Sequence, residues 1–246
     1  MARRDLFPLR LQYILGRVAI VVTAPLCFLF IRLMGYRIRD INKIRNEVRR
    51  MRREHAGPWI VCPNHLTMID SLVISYGMAS LGDHIFHFRQ ILWNLPERKN
   101  FQKNPVLALL CYLLKCLPVD RGGSRGDLQR LLEKCCRVLH WGQGLMIFPE
   151  GGRSRTGRVN RENFSYGVGR FVEECRSCKV MLIYLRGDGQ ETYGTIPRFG
   201  ERFTMTAELF DPERTEAGGL RVQREYARRI VERLALLEEA CLASRG

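Results

Sequence analysis

WIVCPNHLTMID, residues 59–70, reads as a strand, a turn and a helix start in immediate succession. Trp59 to Pro63 form a short apolar run of strand length. Pro63 and Asn64 end it, and Thr67 with Asp70 three residues on makes the Ser/Thr-x-x-Asp/Glu pattern of a capped helix. A strand passing straight into a helix is the repeating step of an α/β protein.

The same alternation continues outward. HIFHF (84–88), LPVD (117–120), LMIFP (145–149), VMLIYL (180–185) and FTMTAELF (203–210) read as further strands. Between them, DLQRLLEKCCRVLHWG (127–142) places Leu128, Leu131, Leu132, Cys135, Val138 and Leu139 on one helical face, with Gly142 as C-cap. A last helix near the C-terminus turns Tyr226, Ile230, Leu234 and Leu237 inward. The expectation is a single α/β domain with a central mixed sheet flanked by helices, over residues 57–246. Its loops DRGGSRGD, PEGGRSRTGR and RGDGQETYG all follow strands, the place where sheets of this type hold ligands.

Within the opening stretch, His65 stands five positions before Asp70. A regular helix turns about 100° per residue and would set the two on different faces. They meet only if His65 lies in the turn before the helix and Asp70 in its first turn. A carboxylate on one ring nitrogen leaves the other free to take a proton, which is the part of a general base. No G-x-S-x-G or similar nucleophile accompanies the pair, so the hydroxyl to be activated belongs to a substrate. In FPEGGRSRTG (148–157), Gly151 and Gly152 permit close backbone approach, and Arg153 and Arg155 offer forked donors suited to phosphate. Arg121, after LPVD, is a further arginine at a strand end.

NHLTMID resembles the NH-x4-D motif of the glycerolipid acyltransferases, the family of the bacterial 1-acylglycerol-3-phosphate acyltransferases. FPEGGRSRTG resembles that family's F-P-E-G-x-R-S motif, and CLPVDRGG is similar to the strand and arginine between the two; the likeness covers roughly residues 57–210. It implies transfer of a fatty acyl group from acyl-CoA or acyl-carrier protein to a lysophospholipid hydroxyl, 1-acylglycerol-3-phosphate becoming phosphatidic acid. By that resemblance His65 is the general base and Asp70 its orienting group. Glu150, Gly151 and Arg153 hold the acceptor's phosphate, Arg121 assists, and neither a metal nor a cofactor beyond the acyl donor is implied. Another acceptor stays open: glycerol-3-phosphate, a different lysolipid, or a specialised lipid or pigment. Three departures bear on the acceptor. Gly152 stands where the family commonly has threonine, VMLIYLRG lacks the usual proline, and in place of a lysine upstream of Arg121 the stretch FHFRQILWNLP offers Arg89.

The chain carries a formal +15 over 246 residues, and residues 1–54 hold 13 Arg and Lys against 4 Asp and Glu. That charge is drawn to phosphate. It lies beside an apolar run and no RNA-recognition aromatic motif accompanies it, which argues for anionic lipid and against nucleic acid. Val18–Ile31 is uncharged but as a helix spans only about 21 Å against roughly 30 Å of hydrocarbon. Pro25 is expected to kink it, and its two flanks are both basic, so a half-inserted or hairpin-like segment is expected. Ile38, Ile41, Ile44, Val48 and Met51 then recur at helical spacing beside a dense arginine face, either lying on the domain or in the lipid interface. Residues 1–56 are thus expected to hold the enzyme at the cytoplasmic face of the inner membrane, monotopic or peripheral. The nine cysteines, without framework spacing, suit reduced thiols; Cys175 and Cys178 form one CxxC with no second ligand pair for zinc.

Overall fold

The computed structural model describes residues 7–55, 57–120, 122–215 and 218–244. In chain order the elements are α1 (Phe7–Leu33), β1 (Arg37–Ile38), α2 (Ile41–Glu54), β2 (Trp59–Pro63), α3 (Asp70–Met78), α4 (Leu81–Phe86) and β3 (Trp93–Asn94). There follow α5 (Pro105–Leu113), α6 (Arg125–His140), β4 (Leu145–Met146), α7 (Gly167–Glu174), β5 (Lys179–Gly187), β6 (Arg202–Phe210) and α8 (Leu220–Ala243). The strands form one six-stranded sheet in the order β1-β6-β5-β2-β4-β3. Only β5 and β6 run antiparallel; β1 with β6, β2 with β5 and with β4, and β3 with β4 are parallel. The expected α/β domain with a mixed sheet is what the chain forms.

Alternate residues of the central strands feed two cores. Ile60, Cys62, Val180, Leu182 and Tyr184 pack with α6, α7 and α8, while Val61, Met181, Ile183 and Leu185 pack with α2 and α3. Every residue of β2 is buried, which is why its sequence is uniformly apolar rather than alternating. Because β2 and β4 are parallel neighbours, the segments leaving their C-terminal ends, the turn at His65 and the loop at Glu150, emerge at one edge of the sheet.

Several expectations are corrected. HIFHF is not a strand: residues 81–86 form α4, whose start is fixed by a capping box in which Ser80 and Asp83 satisfy each other's backbone N–H. LPVD makes only an isolated parallel bridge, Val119 with Glu97, next to one between Cys116 and Asn94, at the sheet's β3 edge. The helix after His65 begins at Asp70 rather than beside Thr67, because the Thr67 hydroxyl donates to the Asp70 carboxylate instead of capping the helix. Leu128 of α6 is exposed, although Cys135, Val138 and Leu139 face inward and Gly142 has the positive φ of a C-cap. Cys175 and Cys178 are joined as a disulfide, their Cα atoms 5.5 Å apart across the turn that ends α7; the other described cysteines are free.

At the N-terminus, α1 is longer than expected and continues unbroken through Pro25; by length and composition it could cross a membrane. In α2 the residues Ile44, Val48 and Met51 are buried in the core beside α3, so its apolar stripe faces the domain; Arg50 and Arg53 are exposed, while Arg45, Arg49 and Arg52 donate to Tyr76, Asp83 and Gln90 of the domain. Ile38, read with that stripe, belongs instead to β1.

One buried amine ties α1 to the sheet edge. Lys115, fully buried, donates to the carbonyls of Phe88 and Ile91 and to Gln143 Oε1, with its Nζ over the rings of Tyr13 and Phe88. Burial, with Arg89 and Arg52 nearby, pulls its pKa from 10.5 down to about 6. The unfolded chain therefore holds this proton more tightly, and folding stability rises with pH between those two values. Lys115→Met removes that rise. Urea titrations should find the variant's stability relative to wild type better at pH 6.5 than at pH 9.5, by on the order of 3 kcal/mol.

Candidate active site

β2 delivers Asn64 and His65 to the sheet edge and α3 begins only at Asp70, so residues 64–69 form the turn between them. Asn64 anchors the turn to β5: its Nδ2 donates to the Leu185 carbonyl and its Oδ1 accepts the Leu185 N–H. Asp70, buried in the first turn of α3, points back into the loop. Its Oδ2 accepts the N–H groups of Leu66 and Thr67, both at 2.7 Å, and lies 3.1 Å from His65 Nδ1. The carboxylate therefore folds the loop and fixes the imidazole with one set of contacts. Held as Nδ1–H toward Asp70, the ring leaves Nε2 as the acceptor. Phe148 stacks on the ring at 4.0 Å and restricts its rotation.

The loop after β4 is bound to this turn in both directions. Glu150 Oε1 accepts the backbone N–H of His65 at 2.9 Å, and Ser154 N–H donates to the His65 carbonyl at 2.9 Å. Glu150 Oε2 accepts the Asn160 N–H. Through these two bonds Glu150 braces the two loops against each other. Gly151 has φ +68, the left-handed conformation in which a side chain is strained. Arg153 donates to the Gly194 carbonyl and lies over the Tyr193 ring, half-buried beside the same loops. His65, Asp70, Glu150, Gly151 and Arg153 are thus gathered at one edge of the sheet. Arg121 lies outside the described residues.

Two features were not read from the sequence. Lys99 places its ammonium against the 120–123 turn, 3.8 Å from where a Cβ on Gly122 would stand. The Arg89 side chain, the basic group that FHFRQILWNLP offers upstream, lies beside Gly142. The second feature is a buried brace from the C-terminal helix. Glu238 of α8 accepts the Val159 N–H and the Tyr184 hydroxyl, and Arg186 lies 3.5 Å from it while donating to the Gly157 carbonyl. Residues 157–160 are thereby held from α8 and from Glu150 together. Nothing local announces this contact, because Glu238 is 79 positions from Val159.

A family model described as Acyltransferase matches residues 36–185 of this chain. The chain belongs to the acyltransferase family. The matched span contains both loops of the site, from His65 to Glu150 and Arg153. No curated protein matches this acyltransferase.

Burial pushes the Glu150 carboxyl up to about 7; the N–H groups of His65 and Asn160 oppose the rise, and Glu238 and Asp70 add to it. The folded enzyme thus binds a proton that the unfolded chain releases near 4.5, and stability falls as pH rises through that window. Glu150→Gln should lose this fall. Wild type should exceed the variant in stability by more at pH 5 than at pH 8, the difference being about 2 to 3 kcal/mol in denaturant titrations.

Proposed function

We propose that this acyltransferase moves a fatty acyl group from the thioester of acyl-CoA or acyl-carrier protein to the hydroxyl of a lysophospholipid, with 1-acylglycerol-3-phosphate as acceptor and phosphatidic acid as product. The observation that carries the reading is the His65–Asp70 pair, set at a loop edge with its outer nitrogen unclaimed. In this mechanism His65 Nε2 takes the proton of the acceptor hydroxyl as that oxygen attacks the thioester carbonyl. The tetrahedral intermediate collapses by expelling the thiolate, which takes the proton back from His65. Asp70 holds the Nδ1–H and offsets the positive charge of the imidazolium. Glu150 keeps the base in register through its backbone, and Gly151 shapes the loop.

The acceptor class is argued from charge. Arg153 retains donors beyond the one given to Gly194, and with Lys99 and Arg121 it supplies cations suited to a phosphate monoester. Helix α1 serves as the membrane-associated part; β1 and α2 after it belong to the sheet and core of the catalytic domain. The working position is the cytoplasmic face of the membrane, where both lysolipid and acyl donor are met.

The test is a purified-enzyme assay crossing 1-acylglycerol-3-phosphate, glycerol-3-phosphate and a choline lysophospholipid with both donor types. Turnover is expected with the first acceptor. His65→Ala should lower kcat by about a thousandfold with an unchanged melting temperature, within the range for loss of a general base. Undiminished turnover in that variant would remove His65 from the chemistry, and preference for glycerol-3-phosphate would move the acceptor assignment.

A further inference from the structure

α5, PVLALLCYL, is nine residues long, carries no charge and has not one buried residue. Its start is well formed, with the Asn104 side chain accepting the N–H groups of Val106 and Leu107. A helix of this composition normally lies in a core. Here Val106 is 75 % and Leu109 58 % exposed.

α1 packs directly alongside. Gln12 Nε2 donates to the carbonyls of Tyr112 and Cys116, and Gly16 lets the chains close up, since a Cβ there would stand 2.4 Å from the Leu113 carbonyl oxygen. The outward row of α1, with Leu11, Ile14, Val18, Val22 and Leu29, is apolar at helical spacing and each is at least 42 % exposed. A helix lying on a soluble domain would put polar side chains there. The opposite row is buried from Leu9 in the first turn to Ile31 in the last. A helix attached along its whole length cannot stand across a bilayer without drawing the domain in after it. Lying in the plane of the surface, it can bury its outer row and leave the domain in water.

Charge identifies the occupant. Residues 7–39 contain no Asp or Glu, and Arg10, Arg17, Arg32 and Arg37 are exposed among them. Residues 98–119 likewise contain no Asp or Glu, and Arg98, Lys99 and Lys103 are exposed just ahead of α5. An apolar centre with a cationic rim matches an anionic phospholipid surface, acyl region inside and head groups around.

We propose that α1 and α5 form one surface that embeds in plane in an anionic phospholipid bilayer. Lys99 is exposed just ahead of α5 in the chain, so embedding α5 sets that ammonium at head-group level, where a lipid acceptor enters sideways. This last step rests on the function proposed above.

The experiment compares wild type with Val106→Asp/Leu109→Asp and Val18→Asp/Val22→Asp, all at exposed positions, after thermal melts establish that each folds. Co-sedimentation with vesicles of equimolar phosphatidylcholine and phosphatidylglycerol should show each double variant partitioning at least about tenfold less than wild type. Both should retain turnover of a short-chain lysophospholipid kept monodisperse. Unchanged partition of Val106→Asp/Leu109→Asp would overturn the proposal. So would a stable vesicle-free dimer that these substitutions dissociate, since a second copy would then cover the face. If wild type acylates no acceptor in either form, the function falls while the partition measurement still decides the surface.

Discussion

Glu150 takes an acidic group into a place largely closed to water, and what it meets there is the backbone of the turn that carries His65. One oxygen holds the N–H of His65 and the other that of Asn160. Burying such a group without partners is costly, so the arrangement persists only while both loops stay where they are. The constraint also works in reverse: a histidine on a turn has no ladder of its own, and this carboxylate with the Ser154 N–H supplies one. Asp70 then orients the imidazole from the opposite side, through the same carboxylate that folds residues 66 and 67.

The layers behind the site serve that constraint. β2 and β4 lie side by side and parallel, so both loops leave the same edge of the sheet. α8 reaches over from the far end of the chain to hold residues 157–160 through Glu238, with Arg186 balancing its charge in the interior. Removing one member of such a buried set leaves the others unpaired, which is why the C-terminal helix belongs to the site's support as well as to the core.

Much of this was legible in the sequence wherever one element met one strong local signal. WIVCP and VMLIYL are apolar runs bounded by breakers, and both are buried central strands. HIFHF misled because a short run containing aromatics fits a strand by composition, while the deciding signal, Ser80 and Asp83, lay just upstream. β1 and β3, two residues each, carry no pattern at all and exist because neighbouring strands pair with them. The stripe of α2 was visible, but whether it met lipid or protein depended on what stood opposite, and α3 and the sheet stand there.

By itself the sequence determined the α/β alternation, the two loops that follow β2 and β4, and the requirement that His65 sit outside the helix that carries Asp70. These follow from spacing along one chain, where helix geometry and turn residues act locally. Only the tertiary structure decided that Glu150 braces the His65 turn through its backbone, that Glu238 completes the brace, and that α1 and α5 share one outward apolar face. Those outcomes depend on which distant backbone groups need partners and which surfaces find none. Such contacts are settled by burial in three dimensions, and no periodicity along the chain records them.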